Sequence, residues 1–280
     1  MPLISLHTMP ASVTTVLRRW GAAALLAASA SVATTAGAQN QCNPGGAGAR
    51  SPNTRIANAR YDGRYTFARI AYTESFSGGG GFGGRSREPF WHHDYPNAEQ
   101  NFTKLITELT SVRATPARVV ILTLDDPELF KYPIAYLVEA GHWDPGQTEV
   151  VGLRNYLKKG GFIIFDDLSD RTYDMDNLMY QLGRVLPGVR LVELTPQNPV
   201  FDAFYRVKSL NYYHPYYCYK SMFYGIFEDN DPKKRLLGIV NYNNDVGEYW
   251  EWSDMGFFGV DPSNEAYKLG INYIIYALTR

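Results

Sequence analysis

Two adjacent carboxylates, Asp166-Asp167, end the apolar run FIIF at residues 162–165. At the tip of a buried strand they offer a general acid or base, or a contact to a polar ligand. Neighbouring strand residues point to opposite faces. At most one of the two therefore lines a crevice, while the other accepts backbone N–H groups of the next turn. A second group, Trp91-His92-His93-Asp94-Tyr95-Pro96, stands just ahead of a helix start, where unpaired N–H groups favour anions. In extended backbone His92 and Asp94 share one face, the geometry of a metal pair. His142 and His214 lie far along the chain, however, and no HExxH pattern occurs. The expectation is a loop anchored by Trp91 and Tyr95, with His93 and Asp94 open to a ligand, and neither metal nor cofactor.

Glu139-Ala140-Gly141-His142-Trp143 follows the apolar run at 134–138 and so shares a sheet edge with Asp166. Glu139 and His142 read either as an acid–base pair with one aspartate or as packing beneath a helix cap. The segment NYNNDVGEYWEW (241–252) alternates polar and aromatic residues. Asn241, Asn243, Asp245 and Glu248 offer amide and carboxylate contacts, and Trp250 and Trp252 offer flat faces. With the tyrosines at 212, 213, 216, 217 and 219 this is material for a carbohydrate platform. Alternatively, the tryptophans cover the sheet and the asparagines make turns. Gly78, Gly80 and Gly83 fit G-x-G-x-x-G, but no helix follows to supply the dipole that dinucleotide binding needs. No G-x-S-x-G elbow or Walker A loop is present.

These groups need a scaffold, and the chain announces one. Residues 65–72 alternate as a strand does. Asn97 and Gln100 open a helix with Phe102, Leu105, Ile106, Leu109 and Val112 on one face. Residues 118–124 and 134–138 suit central parallel strands. Asp144, Pro145 and Gln147 open the next helix, Gly160-Gly161 stop it, and a strand follows at 162–166. A helix at 177–186, strands at 189–194, 224–228 and 236–242, and a helix at 265–278 complete the pattern. Alternation of strand and helix predicts an α/β fold with a parallel sheet and an irregular C-terminal decoration.

The chain has 280 residues, 45% hydrophobic and 20% charged, with formal net charge -1. Arg18-Arg19, an apolar run from Trp20 and the small-x-small Ala36-Gly37-Ala38 read as a secretory signal with cleavage near Ala38. The run is too short for a membrane anchor. The expected division is signal 1–38, flexible lead-in 39–59 and one α/β domain over 60–280, exported to the periplasm or beyond and not membrane-spanning once cleaved. Beyond residue 38 stand 25 basic and 28 acidic residues, a balance that attracts neither nucleic acid nor an anionic membrane. Cys42 and Cys218 are the two cysteines, and their spacing leaves a disulfide open.

WHHDYPNAEQNF, the ITELTSVRA helix end, LRNYLKKGGFIIFDD, NPVF, NYNNDVGEYWEW and LGINYIIYAL, in this order from about Tyr65 to the C-terminus, resemble the DUF4159 family. The resemblance implies a flavodoxin-like, class I glutamine-amidotransferase-like fold in bacterial exported or membrane-linked proteins, some fused to membrane and von Willebrand A-like regions. It carries no catalytic residue across. Where an amidotransferase keeps its cysteine, this chain has Asp166-Asp167, and a carboxylate cannot replace a thiolate in glutamine hydrolysis. The leading expectation is a binding domain for a polar small molecule, glycan or envelope partner at the carboxyl edge of the sheet. One alternative is a hydrolase, with glycosidic substrates as one class, using two of Asp94, Glu139, Asp166, Asp167 and Glu248. The other is a protein-assembly module.

Overall fold

The computed structural model describes residues 57–74, 89–170 and 173–280. The chain divides into two units, Met1–Ala38 and Gln39–Arg280, and every described residue belongs to the second. The signal segment, Cys42, most of the 39–59 lead-in and the glycine loop at 78–84 lie outside the described residues.

Among the described residues seven strands form one sheet: β1 (Tyr65–Ile70), β2 (Ala114–Leu122), β3 (Ile134–Val138), β4 (Phe162–Leu168), β5 (Leu191–Glu193), β6 (Met222–Phe227) and β7 (Leu236–Tyr242). Their spatial order is β2-β1-β3-β4-β7-β6-β5. The first five of these positions run parallel, and β6 and β5 add an antiparallel margin. This is the α/β sheet expected from the sequence, and the 2-1-3-4 start is consistent with a flavodoxin-like arrangement.

Among the described residues five α-helices flank it: α1 (Asn97–Leu109), α2 (Gln147–Lys158), α3 (Asp174–Val185), α4 (Val246–Glu251) and α5 (Val260–Thr279). Strand alternation sorts the core into two layers. Tyr136, Val138, Phe162 and Ile164 meet Phe102 and Ile106 of α1, Trp250 of α4 and Leu269 of α5. Ala135, Leu137, Ile163 and Phe165 meet Leu153 of α2 and Leu178 of α3 on the other face.

Boundaries differ where local chemistry favours another cap. Helix α1 begins at Asn97 with Pro96 as its N-cap, so Asn97 is not the capping residue. Helix α2 begins at Gln147, capped at Gly146, whose N–H donates to Glu149 Oε2 at 3.0 Å. Asp144 instead accepts from Gln181 of α3 at 3.4 Å. Strand β2 starts four residues earlier than its apolar run suggests and ends two earlier. Helix α4 is absent from the sequence pattern, because its apolar residues alternate with polar ones in a run too short to show a period of 3.6.

Chain order reverses between β1 and β3: β1 connects outward to β2, and β3 onward to β4. The crevice beyond the carboxyl ends of such strands is where open α/β sheets hold ligands.

Candidate functional site

At that edge the chain collects charge. His93 and Asp94 follow β1, Glu139 follows β3, Asp167 lies near the end of β4, and Asp245 and Glu248 stand at the start of α4, after β7. His214 arrives from the segment between β5 and β6. The backbone is unusual at each turn: Asp94 (φ 64), Glu139 (φ 53), Asp167 (φ 51) and Asn243 (φ 51) all adopt the left-handed region. Such residues cost about 1–3 kcal/mol each and persist where the surroundings over-determine them.

One clamp sets the His93 segment. Arg69 of β1, fully buried, pairs with Glu99 of α1. Its Nη1 donates to the carbonyls of Trp91 and His93, both at 2.8 Å. Tyr72 holds the β3 end, its hydroxyl donating to the carbonyls of Val138 (3.0 Å) and Glu139 (2.8 Å). Trp91 and Tyr95 are buried and anchor this loop.

The two aspartates divide as opposite-face residues should, with a twist. Asp166 is wholly buried and accepts from Tyr136 Oη (2.7 Å), Asn241 Nδ2 (2.8 Å) and the N–H groups of Val246 and Gly247 (both 3.1 Å). It fastens α4 to the sheet. Burial raises its pKa to about 6, although the hydrogen bonds from Tyr136 and Asn241 work against that rise. Asp167 turns out of the ladder, where β4 and β7 slip register between Phe165 and Leu168. Its Oδ2 lies 3.3 Å from His93 Nδ1, and its Oδ1 lies 3.7 Å from His214 Nε2. His214 Nδ1 accepts the N–H groups of Tyr216 (3.2 Å) and Tyr217 (3.4 Å), which leaves its proton on Nε2, facing Asp167.

The left-handed backbone at Asp94 breaks the extended geometry that paired it with His92. His93 faces it instead, Nδ1 at 3.4 Å from Asp94 Oδ1 and Nε2 at 3.8 Å from Glu248 Oε2. Asp245 caps α4, its Oδ1 accepting the Glu248 N–H at 2.9 Å. Glu248 Oε1 accepts from Trp252 Nε1 at 2.7 Å and from the Tyr216 hydroxyl. Two sets of donors fall within metal-ligand reach, one atom from each residue lying within 4.8 Å of the others: His93, Asp94, Asp245 and Glu248, and His93, Glu139 and Asp167.

Electrostatics follow from burial and crowding. Burial, together with Glu248, Glu251 and Asp167 nearby, pushes Asp94 well above the usual carboxylate range. Burial and then Asp167 and Asp94 do the same to Asp245. Burial and Asp167 raise Glu139 well above its usual value. Glu251 reaches about 7 through burial and its neighbour Glu248. For Asp167, burial is outweighed by the adjacent imidazoles of His214 and His93, and its pKa is lowered. For His93, burial is outweighed by Asp94, Asp167 and Glu139, and its pKa is raised well above the ordinary value.

The other residues singled out in the sequence take supporting places. His142 stacks on Phe90 with ring centroids 3.5 Å apart and lies 3.8 Å from Glu139, while Trp143 is buried in the α2–α3 layer. Asn241 is buried and accepts the Tyr273 hydroxyl at 3.0 Å. Asn243 ties down Asp170, donating to its carboxylate at 2.8 Å and accepting its N–H at 2.9 Å. Trp250 is 1% exposed and packs on Phe102, so its face belongs to the core, and Trp252 is buried too. The tryptophans therefore cannot form the sugar platform that their spacing suggests. Tyr217 and Tyr219 remain exposed near His214.

Sequence reasoning passes over Arg69, Glu99, Tyr136 and Glu251; it names Tyr216 only among the platform tyrosines and sets His214 aside as distant. One signal is legible: a lone arginine inside the strand YTFARIAY needs a buried partner, and Glu99 in the first turn of α1 is the acid that supplies it. His214 carries no such mark.

The model of the DUF4159 family, described as a domain of unknown function, matches residues 66–278. No curated protein matches the chain.

Proposed function

The chain belongs to the DUF4159 family, and from the chemistry of its sheet edge we propose that it is a binding domain for a polar, positively charged ligand. A secretory signal at 1–38, read from Arg18-Arg19, the apolar run and Ala36-Gly37-Ala38, supports export as its setting. No helix among the described residues is long and apolar enough to cross a membrane.

Asp94 carries the reading. It is 4% exposed, and neither carboxylate oxygen accepts a hydrogen bond. Three further carboxylates, Asp167, Glu248 and Glu251, act on it electrostatically. Among the described residues, the basic groups within 4.0 Å of the cluster's carboxylates are the three histidines His93, His142 and His214. A buried carboxylate without donors costs several kcal/mol unless a cation or a proton compensates it.

The test is a thermal-shift panel on the full chain: divalent metal chlorides, putrescine, arginine amide and amine-bearing peptidoglycan fragments, against sulfate, acetate and neutral sugars. A ligand at a hundred times its dissociation constant stabilises by about 2.7 kcal/mol. Cationic members should raise Tm in the wild type and not in Asp94→Asn. Stabilisation by the anions or neutral sugars alone would defeat the reading.

A second reading, hydrolysis, is favoured by one observation. Glu139 and Asp167 interact directly, yet their pKa values are pushed in opposite directions. Paired carboxyls driven apart in this way can serve as acid and base. Their nearest donor atoms lie within 4.8 Å, well short of the about 6.5–9.5 Å separation of carboxyls in an inverting glycosidase. Turnover of a glycosidic or ester substrate whose kcat falls about 100-fold or more in Glu139→Gln, with KM unchanged, would establish this reading.

A further inference from the structure

Resting on the cationic-ligand reading, we propose that the ligand is a divalent metal ion held by His93, Asp94, Asp245 and Glu248. Ligands of one ion at about 2.1 Å lie about 3–4.2 Å from one another. One donor atom from each of these four residues already lies within 4.8 Å of the others, so small side-chain adjustments complete the shell.

The division of labour within each carboxylate is the stronger argument. Asp245 commits Oδ1 to the Glu248 N–H, which leaves Oδ2 for another partner. Glu248 commits Oε1 to Trp252 and Tyr216 and turns Oε2 toward His93. In both, one oxygen is used to aim the other. Asp94 leaves both oxygens without a donor in a buried position. Metal ligands are characteristically held this way by outer partners.

His93 fits the same scheme. Its Nδ1 lies between Asp167 Oδ2 (3.3 Å) and Asp94 Oδ1 (3.4 Å), and its Nε2 lies on the Glu248 side. His214 Nε2 stands 3.7 Å from Asp167 Oδ1 on the far side. Asp167 and His214 are thus positioning residues, and the overlapping donor set of His93, Glu139 and Asp167 is weaker because Asp167 already has an imidazole on each side. Gly247 has a part as well: a Cβ there would meet Asp94 Oδ2 at 2.4 Å, so glycine is what lets the carboxylate lie against α4.

One imidazole with three carboxylates suits Zn²⁺ or Mn²⁺. Ca²⁺ takes six to eight oxygens and Mg²⁺ keeps most of its waters.

The experiment is calorimetric titration of the chelator-stripped full chain with zinc, manganese, magnesium and calcium chlorides, each alone. We expect one ion per chain for zinc or manganese, with affinity reduced at least tenfold in Asp94→Asn and in His93→Gln. Glu139→Gln should change it less than threefold. His93 is partly exposed, so its variant remains informative should Asp94→Asn fold poorly. Wild-type affinity in both Asp94→Asn and His93→Gln would overturn the assignment. Absence of heat with all four metals would overturn it too, and putrescine and arginine amide then separate the two ideas. A response to these organic cations keeps the cationic-ligand reading while the metal fails, and silence from every cation removes both.

Discussion

At the amino edge of the sheet the chain turns left-handed on glycine, at Gly63 before β1, Gly160 before β4 and Gly188 before β5. At the carboxyl edge the left-handed turns fall on Asp94, Glu139, Asp167 and Asn243, with Cys218 beside His214. Glycine takes that conformation without steric cost, whereas for an L side chain it costs about 1–2 kcal/mol. The amino edge does place Asp229 and Asn230 at φ 54 and 57, but in the turn joining β6 to β7, where Asp and Asn are ordinary occupants. The polar groups differ in the same sense. Near the amino edge the Tyr156 hydroxyl donates to the Tyr132 carbonyl at 2.9 Å, and Arg235 donates to the Leu157 carbonyl at 2.6 Å. At the carboxyl edge neither oxygen of the Asp94 carboxyl accepts a hydrogen bond. One edge is built for stability, and the other holds strain and a buried carboxyl without donors in a defined geometry. That distribution supports the proposed binding role.

The contrast meets its severest test at Arg69. Replacing it by Met leaves Glu99 buried without its partner and two carbonyls without a donor. Urea unfolding should show a loss of about 3–5 kcal/mol, together with loss of any cation response, because the His93 segment is released. A loss below about 1 kcal/mol would show that the clamp does not hold the edge.

Asp166→Ala comes next. It strands the Tyr136 hydroxyl, the Asn241 amide and two backbone N–H groups, and should cost about 2–4 kcal/mol. The same experiment separates the neighbouring aspartates: Asp167→Ala, at a left-handed position with looser contacts, should cost less. Equal losses would erase the distinction between a fastening and a site-facing carboxylate.

The direct comparison of edges pairs Gly160→Ala with Glu139→Gly. Gly160 has φ 109, and a methyl group added there would meet no other atom within 4 Å. The alanine should therefore cost about 1–2 kcal/mol through backbone alone. Glu139→Gly should stabilise by about 1 kcal/mol while abolishing any activity that uses the carboxyl. If Glu139→Gly destabilises as much as Gly160→Ala, the carboxyl edge is not strained in the way its backbone indicates.

The smallest effect expected is in pH. Asp94, Asp245, Glu139 and Glu251 have raised carboxyl pKa values, Glu251 at about 7. The folded state therefore keeps their protons more tightly than the unfolded one, and that stability is lost as pH rises through the folded values. His93, also raised, contributes with the same sign. Asp167, lowered, acts the other way, below its ordinary value of 3.8. Calorimetry in chelator should give a Tm a few degrees lower at pH 8 than at pH 5.5, with Glu251→Gln removing part of the slope near neutrality. A Tm rising across that interval would mean the acidic cluster is not stabilised by its protons.

Much of the scaffold is legible in the sequence because it rests on local patterns. The apolar runs at 134–138 and 236–242 are β3 and β7 at those same residues, since buried parallel strands need uninterrupted apolar side chains. The helix expected at 265–278 is present, though it begins five residues earlier. The site is legible only as a set of names. Asp94, Glu139, Asp167, Asp245 and Glu248 all stand out in the sequence, yet so do Trp250, Asn241 and Asp166, which the fold uses for packing and fastening. By itself the sequence determined the alternation of strands and helices and the edge on which the carboxylates fall. Only the tertiary structure decided which of two adjacent aspartates fastens α4 and which stands between His93 and His214, that His93 rather than His92 joins Asp94, and that His214 reaches Asp167 from far along the chain. The reason is physical: apolar periodicity is a local property of consecutive residues, whereas convergence depends on left-handed turns and on contacts between segments that the sequence pattern does not encode.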